Sequence, residues 1–180
     1  EAEKRLVACR KEKETIDFIE SIPEGSVFLD VGANCGPYTF VAAARSLVVH
    51  SVEPHRPTFR RLVQNMILNP WAKTITPHNF CLGDKDGTVG FKESSSEPGA
   101  ALHRVTQGDD IDCWRLDTLC ACGFLPMPDY CKCDTDRNEL SVLRGAEYVL
   151  RQIKGIMIET DPRNPDVPES ETQEIHQRLR

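Results

Sequence analysis

The sequence predicts an α/β fold, a doubly wound and mostly parallel sheet in one domain. Three observations carry that prediction. Short apolar runs of strand length alternate along the chain with amphipathic stretches of helix length. The first run, Val27-Phe28-Leu29-Asp30-Val31, passes directly into Gly32-Ala33-Asn34-Cys35-Gly36-Pro37, a tight loop with a proline suited to the first turn of a helix. Four of the runs end in an acid, Asp30, Glu53, Asp134 and Glu159, which sets carboxylates along the edge where such a sheet binds its ligands.

The elements follow in order. Residues 3–22 place Leu6, Val7, Ile16 and Ile19 on one helical side, with Cys9 and Phe18 beside them, so an N-terminal helix covers 1–22. Pro23-Glu24-Gly25-Ser26 ends it. Strand 27–31 leads through the loop to an alanine-rich helix at 38–46, then to strand 48–52. Residues 57–68 repeat Phe59, Leu62, Val63, Met66 and Ile67 at helical spacing and pack on the sheet. A third strand region covers 74–82, a turn 83–87 and a short hairpin strand 89–91. The polar stretch 93–108 reads either as a mobile loop over the site or as plain surface. A strand turning into a helix follows at 111–119, then strand 128–134, helix 139–153, strand 155–159 and a final helix from 169. The core of the domain is thus 27–159, closed by 160–180.

Composition narrows the function. The chain has 180 residues, 39% hydrophobic and 28% charged, the balance of one globular domain with one core. A net charge of −6 argues against nucleic acid as a partner, since phosphate binding needs a basic face. No apolar run approaches the ~20 residues of a membrane span. No secretory pattern opens the sequence, so the cytoplasm is the expected compartment, although a chain beginning at Glu1 leaves an upstream targeting segment open. Among the eight cysteines, Cys120-Ala121-Cys122 and Cys131-Lys132-Cys133 are spaced too closely for the usual structural zinc pattern. No metal site is expected from them. Cys131 and Cys133 should share one buried face of a strand as small apolar residues, while a disulfide among Cys113, Cys120 and Cys122 stays open.

The loop after the first strand suggests the cofactor. A dinucleotide site uses G-x-G-x-x-G, whose middle glycine lets backbone approach a pyrophosphate. Here that position is Asn34, and Asp30 adds an anion at the same mouth. S-adenosyl-L-methionine, with a sulfonium, an ammonium and no phosphate, fits better. Asp30 would take the ammonium, and backbone N–H groups from Gly32 to Gly36, Ala33 included, would meet the carboxylate with Asn34. Glu53, about twenty residues on, would accept the ribose hydroxyls.

The blocks F-L-D-V-G-A-N-C-G-P-Y-T at 28–39, V-E-P-H-R-P-T-F-R-R-L-V-Q-N at 52–65, L-G-D-K-D-G at 82–87, R-L-D-T-L at 115–119, C-K-C-D-T-D-R-N-E-L-S-V-L-R-G-A-E at 131–147 and I-M-I-E at 156–159 together resemble the FkbM-type methyltransferase family. The resemblance implies the Rossmann-like fold of class I S-adenosylmethionine-dependent methyltransferases and O-methylation of a small molecule, sugar or lipid. It carries Asp30, Gly32, Asn34 and Gly36 into the cofactor loop, Glu53 onto the ribose and Asp84 near the adenine. It also implies two further strands after the last helix, so that this chain would be a fragment. The family segment K-I-D-x-E-G-x-E is altered here: Asp136 shortens an acid and Arg137 replaces a glycine.

Methyl transfer to a hydroxyl needs alignment and removal of a proton. Asp134 and Asp136 are the expected catalytic acids, with Asp134 preferred at the strand tip. The same pair could instead hold Mg²⁺. His103 is the one histidine placed for catalysis, in the polar stretch. Two other readings stay open: an NAD-dependent oxidoreductase, which Asn34 opposes, and an inactive methyltransferase fold used for binding, which Arg137 favours.

Overall fold

The computed structural model describes residues 12–92, 97, 104–159 and 169–179. His103, most of the 93–103 stretch and the first eleven residues of the expected N-terminal helix lie outside them. The elements run α1 (Lys13–Ser21), β1 (Val27–Val31), α2 (Pro37–Ala44), β2 (Val48–Val52), α3 (Arg56–Leu68), β3 (Ile75–His78), β4 (Cys81–Leu82), β5 (Gly87–Lys92), β6 (Arg104–Trp114), α4 (Leu116–Ala121), β7 (Tyr130–Cys133), α5 (Glu139–Arg144), α6 (Glu147–Leu150), β8 (Gly155–Ile158) and α7 (Glu169–Arg178).

Five strands form a parallel sheet in the order β3-β2-β1-β7-β8. The chain builds outward from β1 to β3, then returns to lay β7 on the other flank of β1. That reversal is where a doubly wound sheet opens a crevice at its carboxyl edge. Period-two alternation sorts the faces. Phe28 and Val49 point to one side and bury against Ile19, Ile22, Tyr38, Ala42 and Leu47 of the α1–α2 layer. Leu29, Val31, Val52, Cys131 and Cys133 point to the other and pack with Leu116, Leu119, Val142 and Val149. Each fully buried large side chain contributes about 1.5–3 kcal/mol. Cys131 and Cys133 are 3% and 0% exposed and share the face expected of them. Alternation then forces Lys132 onto the α2 side, opposite Asp30 in register.

Several boundaries differ from the sequence reading. The 74–82 region divides: β3 stays in the main sheet, while β4 pairs in parallel with β6 in a second sheet of order β4-β6-β5. The hairpin strand is longer than 89–91, because β5 pairs antiparallel with β6 across Gly87 to Lys92. Part of the polar stretch, 104–108, is therefore strand. Asp30 lies inside β1, and Val31 ends it. The expected helix 139–153 breaks into α5 and α6. A Cβ at Gly145 would lie 1.9 Å from the carbonyl oxygen of Gly83, so the chain turns there against the β4 loop. Asp117 restarts it by accepting the Tyr148 and Val149 N–H groups at 3.0–3.1 Å. Among the described residues seven cysteines are free thiols, and those of Cys81 and Cys113 face each other across β4 and β6. No helix among the described residues is long and apolar enough to cross a membrane.

Candidate active site

A cleft open to solvent sits at the carboxyl ends of β1, β2 and β7. Its floor is the loop after β1. Gly32 has φ 78°, and a Cβ there would lie 1.7 Å from the carbonyl oxygen of Asp134. Only glycine allows the two strand ends to come so close. The N–H groups of Gly32 and Ala33 both donate to the Val52 carbonyl at 3.0 Å. The Asn34 N–H donates to Glu53 Oε2 at 2.9 Å, and its side-chain oxygen accepts from Cys35 N at 2.7 Å. These donors, expected to meet a ligand carboxylate, are engaged within the protein. Their work is to fold the loop around Glu53.

Glu53 is 6% exposed and lines the cleft. Its other oxygen accepts from His55 N at 2.8 Å. Burial pushes its carboxyl up to about 7, against the pull of the two backbone donors and with a further rise from Asp136 and Asp30. A carboxylate pinned by both oxygens is a pre-oriented acceptor for two neighbouring hydroxyls. Phe91 and Val105, brought over by the β5–β6 hairpin, give the same cleft an apolar wall with Leu82. The Phe91 ring stacks on that of His55 at 6.1 Å between centroids.

Three expected residues stand elsewhere. Asp30 is fully buried behind the cleft, where Thr39 Oγ1 donates to it at 2.6 Å and Lys132 Nζ lies 3.6 Å away. Gly36, at φ 94°, caps α2 and packs against Leu62 and Phe40. Asp84 is exposed, its N–H donating to Ser141 Oγ at 3.1 Å. None of the three lines the cleft.

The opposite side of the cleft holds Lys132, Asp134, Thr135, Asp136 and Asn138. Lys132 is 3% exposed and donates to Asp134 Oδ2 at 3.2 Å. Burial alone would lower its pKa, but Asp30 and Asp134 outweigh burial and keep it protonated. Glu159, at the tip of β8, is pushed up to about 7 by desolvation and by the neighbouring Asp134 carboxylate. Asp136 and Arg137 take φ of 53° and 84° in succession, a left-handed pair that costs non-glycine residues about 1–3 kcal/mol each. Glu139 Oε1 holds the loop by accepting from Thr135 N, Thr135 Oγ1 and Arg137 N at 2.7, 3.0 and 3.3 Å. A positive φ at position 137 is a conformational reason for the glycine of the family pattern there. Among the described residues, no group of three or more His, Cys, Asp or Glu side chains is placed to hold a metal ion.

Sequence reasoning passed over Lys132, Tyr38, Phe91 and Val105. For Lys132 a signal existed, a lysine inside a buried strand and immediately before the acids. For Phe91 and Val105 none did, because the hairpin that delivers them pairs across a long polar gap.

Residues 30–180 match the model of the methyltransferase FkbM domain. The chain belongs to the FkbM methyltransferase family. It is 30% identical over 158 residues to the hexuronic acid methyltransferase AglP of Haloferax volcanii, covering 86% of this chain and 64% of that protein. The FkbM methyltransferase structure from Methylobacillus flagellatus superposes with a TM-score of 0.52 at 20% identity, over 74% of this chain and 32% of that one. The precorrin-6y C5,15-methyltransferase of Geobacter metallireducens gives 0.55 at 11% identity, over 93% and 70%. These likenesses show the class I methyltransferase fold. S-adenosyl-L-methionine is the cofactor that this family resemblance implies. The donor set is compatible: the cleft offers an acid for hydroxyls and an apolar wall, and its loop N–H groups are committed elsewhere, so little is left to cradle phosphates.

Proposed function

We propose that this FkbM-family chain O-methylates a hydroxyl of a sugar acceptor of the uronic-acid type, acting in the cytoplasm, where the free thiols among the described residues are at home. The carrying observation is that one cleft has Glu53 on its cofactor side and the Lys132–Asp134 pair on the other. Glu53 would hold the ribose hydroxyls, the Gly32–Asn34 loop would border the methionine portion, and Phe91 with Val105 would cover the adenine and exclude water. The cofactor, when bound, supplies an electrophilic methyl group. Asp134 would accept the acceptor's hydroxyl proton as the oxygen attacks, and Asp136 would border the same face. The relative that suggests a sugar acid is longer than this chain, which spans 64% of it.

The test is Asp134→Asn, assayed on free and nucleotide-linked uronic acids. Turnover should fall by 10²–10⁴, while S-adenosylhomocysteine affinity, measured by calorimetry, stays within threefold. Loss of both in proportion would remove Asp134 from the acceptor role. The strain at Arg137 favours one alternative, an inactive fold that retains the cofactor; its signature is binding with no transfer to any acceptor.

A further inference from the structure

Lys132 is buried, charged and central, yet the reaction as described gives it no step. Its Nζ lies 3.6 Å from Asp30 Oδ1 and 3.2 Å from Asp134 Oδ2, and 5.1 Å from the centre of the Tyr38 ring. Asp30 is its register partner on β1 and is held from behind by Thr39. Asp30 Oδ1 has no hydrogen-bond partner, so Lys132 is the charge that compensates it. The three residues therefore form a line from the closed interior of the sheet to the open cleft. Lys132 and Asp134 both line that cleft, and Asp134 is the more exposed of the two. Lys132 engages Oδ2 of Asp134, and Glu159 at the tip of β8 is hydrogen-bonded to the same carboxylate.

We propose that Asp30 and Lys132 are positioning residues: Asp30 fixes Lys132, and Lys132 fixes the Asp134 carboxylate at the point of methyl transfer. This reassigns Asp30 from holding the cofactor's ammonium to orienting the acceptor-side acid. The logic is that of a buried acid orienting the group that orients the reacting one. It rests on the proposed function above for the role of Asp134. The relay moves no proton of its own. The acceptor's proton goes to Asp134 as the new oxygen–carbon bond forms, and the electrons of the breaking carbon–sulfur bond return to sulfur.

The experiment needs no acceptor. Sinefungin carries an amine-bearing carbon where S-adenosylmethionine carries its methyl-bearing sulfur, so its amine stands in for the methyl, and S-adenosylhomocysteine carries neither charge nor methyl there. The ratio of their dissociation constants reports a carboxylate held at that point. Lys132→Met alone strands the Asp30 carboxylate in the interior without its counter-charge and is expected to fold poorly. Asp30→Asn with Lys132→Met removes one charge of each sign and leaves the net charge unchanged. Wild type should prefer sinefungin by five- to tenfold. Asp134→Asn and the double variant should both lose that preference, while each binds S-adenosylhomocysteine within threefold of wild type. A double variant that keeps the wild-type preference would overturn the relay and reduce Lys132 to a structural ion pair. A wild type that binds neither compound would sink the cofactor reading and the relay with it, a result readily told apart from the first. On an acceptor that wild type methylates, the double variant should lose kcat at least 100-fold with little change in cofactor KM. Unchanged kcat there would also reject the relay.

Discussion

Glu53 is a scaffold residue to which the proposed function adds a ligand role. Its two oxygens accept the N–H groups of Asn34 and His55 at 2.9 and 2.8 Å. Glu53→Gln must turn an NH₂ toward one of these donors, leaving a buried N–H unpaired at a cost of about 1–3 kcal/mol. That cost falls on folding; S-adenosylhomocysteine should also bind roughly tenfold more weakly, because the variant offers the ribose hydroxyls one acceptor oxygen fewer. The wild-type carboxyl, raised to about 7 by burial, ionises as pH rises through neutrality. Ribose hydroxyls donate better to the ionised form. Affinity should therefore climb about tenfold between pH 6 and 8 in wild type and stay level in Glu53→Gln. Calorimetric titrations at four pH values check this; a flat wild-type profile would remove Glu53 from the cofactor contact.

At the scale of elements, the break between α5 and α6 is where the site's support is most exposed to a small change. Gly145 approaches the carbonyl of Gly83 so closely that a Cβ would sit 1.9 Å from the oxygen and 2.9 Å from its carbon. Both partners are backbone, so no side chain can swing away. Gly145→Ala must push α5 off the β4 loop, and α5 carries Glu139, which anchors the Thr135–Arg137 turn. Overpacking of this kind costs about 1–3 kcal/mol. Urea denaturation should show that loss with an unchanged slope, and acceptor turnover should drop further than cofactor affinity. This junction was invisible in the sequence, where 139–153 keeps helical spacing throughout. What broke the helix is a contact with a loop some sixty residues earlier, and no local pattern records it. By contrast the loop after β1 was readable, because Gly32 and Pro37 answer local demands for positive φ and a helix start. The burial of Asp30 was hidden for a related reason: alternation fixes the face of a residue, but only the neighbouring strand supplied Lys132 and turned an acid near the edge into a buried ion pair.

The whole molecule balances opposed titrations, and that balance can be measured. His50 and His78 face each other on β2 and β3, with Nδ1 and Nε2 3.0 Å apart. Burial lowers the pKa of both, and for His78, with His50 beside it, to about 4. The unfolded chain holds a proton on these rings up to about pH 6.5, so their neutral burial adds stability as pH rises from about 4 to 6.5. Glu53 acts in the opposite sense. Its folded carboxyl keeps a proton up to about 7, whereas the unfolded one loses it near 4.5, so its contribution falls as pH rises over that window. Glu159 adds to the same side, weakened by its exposure to solvent. The windows overlap, and wild-type stability should be nearly level between pH 5 and 7. His78→Phe removes the larger histidine contribution and puts a ring among Phe80 and Phe124, which already lie 5.5 and 5.7 Å from it. That variant should lose on the order of 2 kcal/mol between pH 5 and 7 as the Glu53 slope stands uncovered. Denaturant midpoints across that range decide the matter. A variant as level as wild type would mean that Glu53 is ionised throughout, and the tenfold rise in cofactor affinity expected near neutrality would disappear with it.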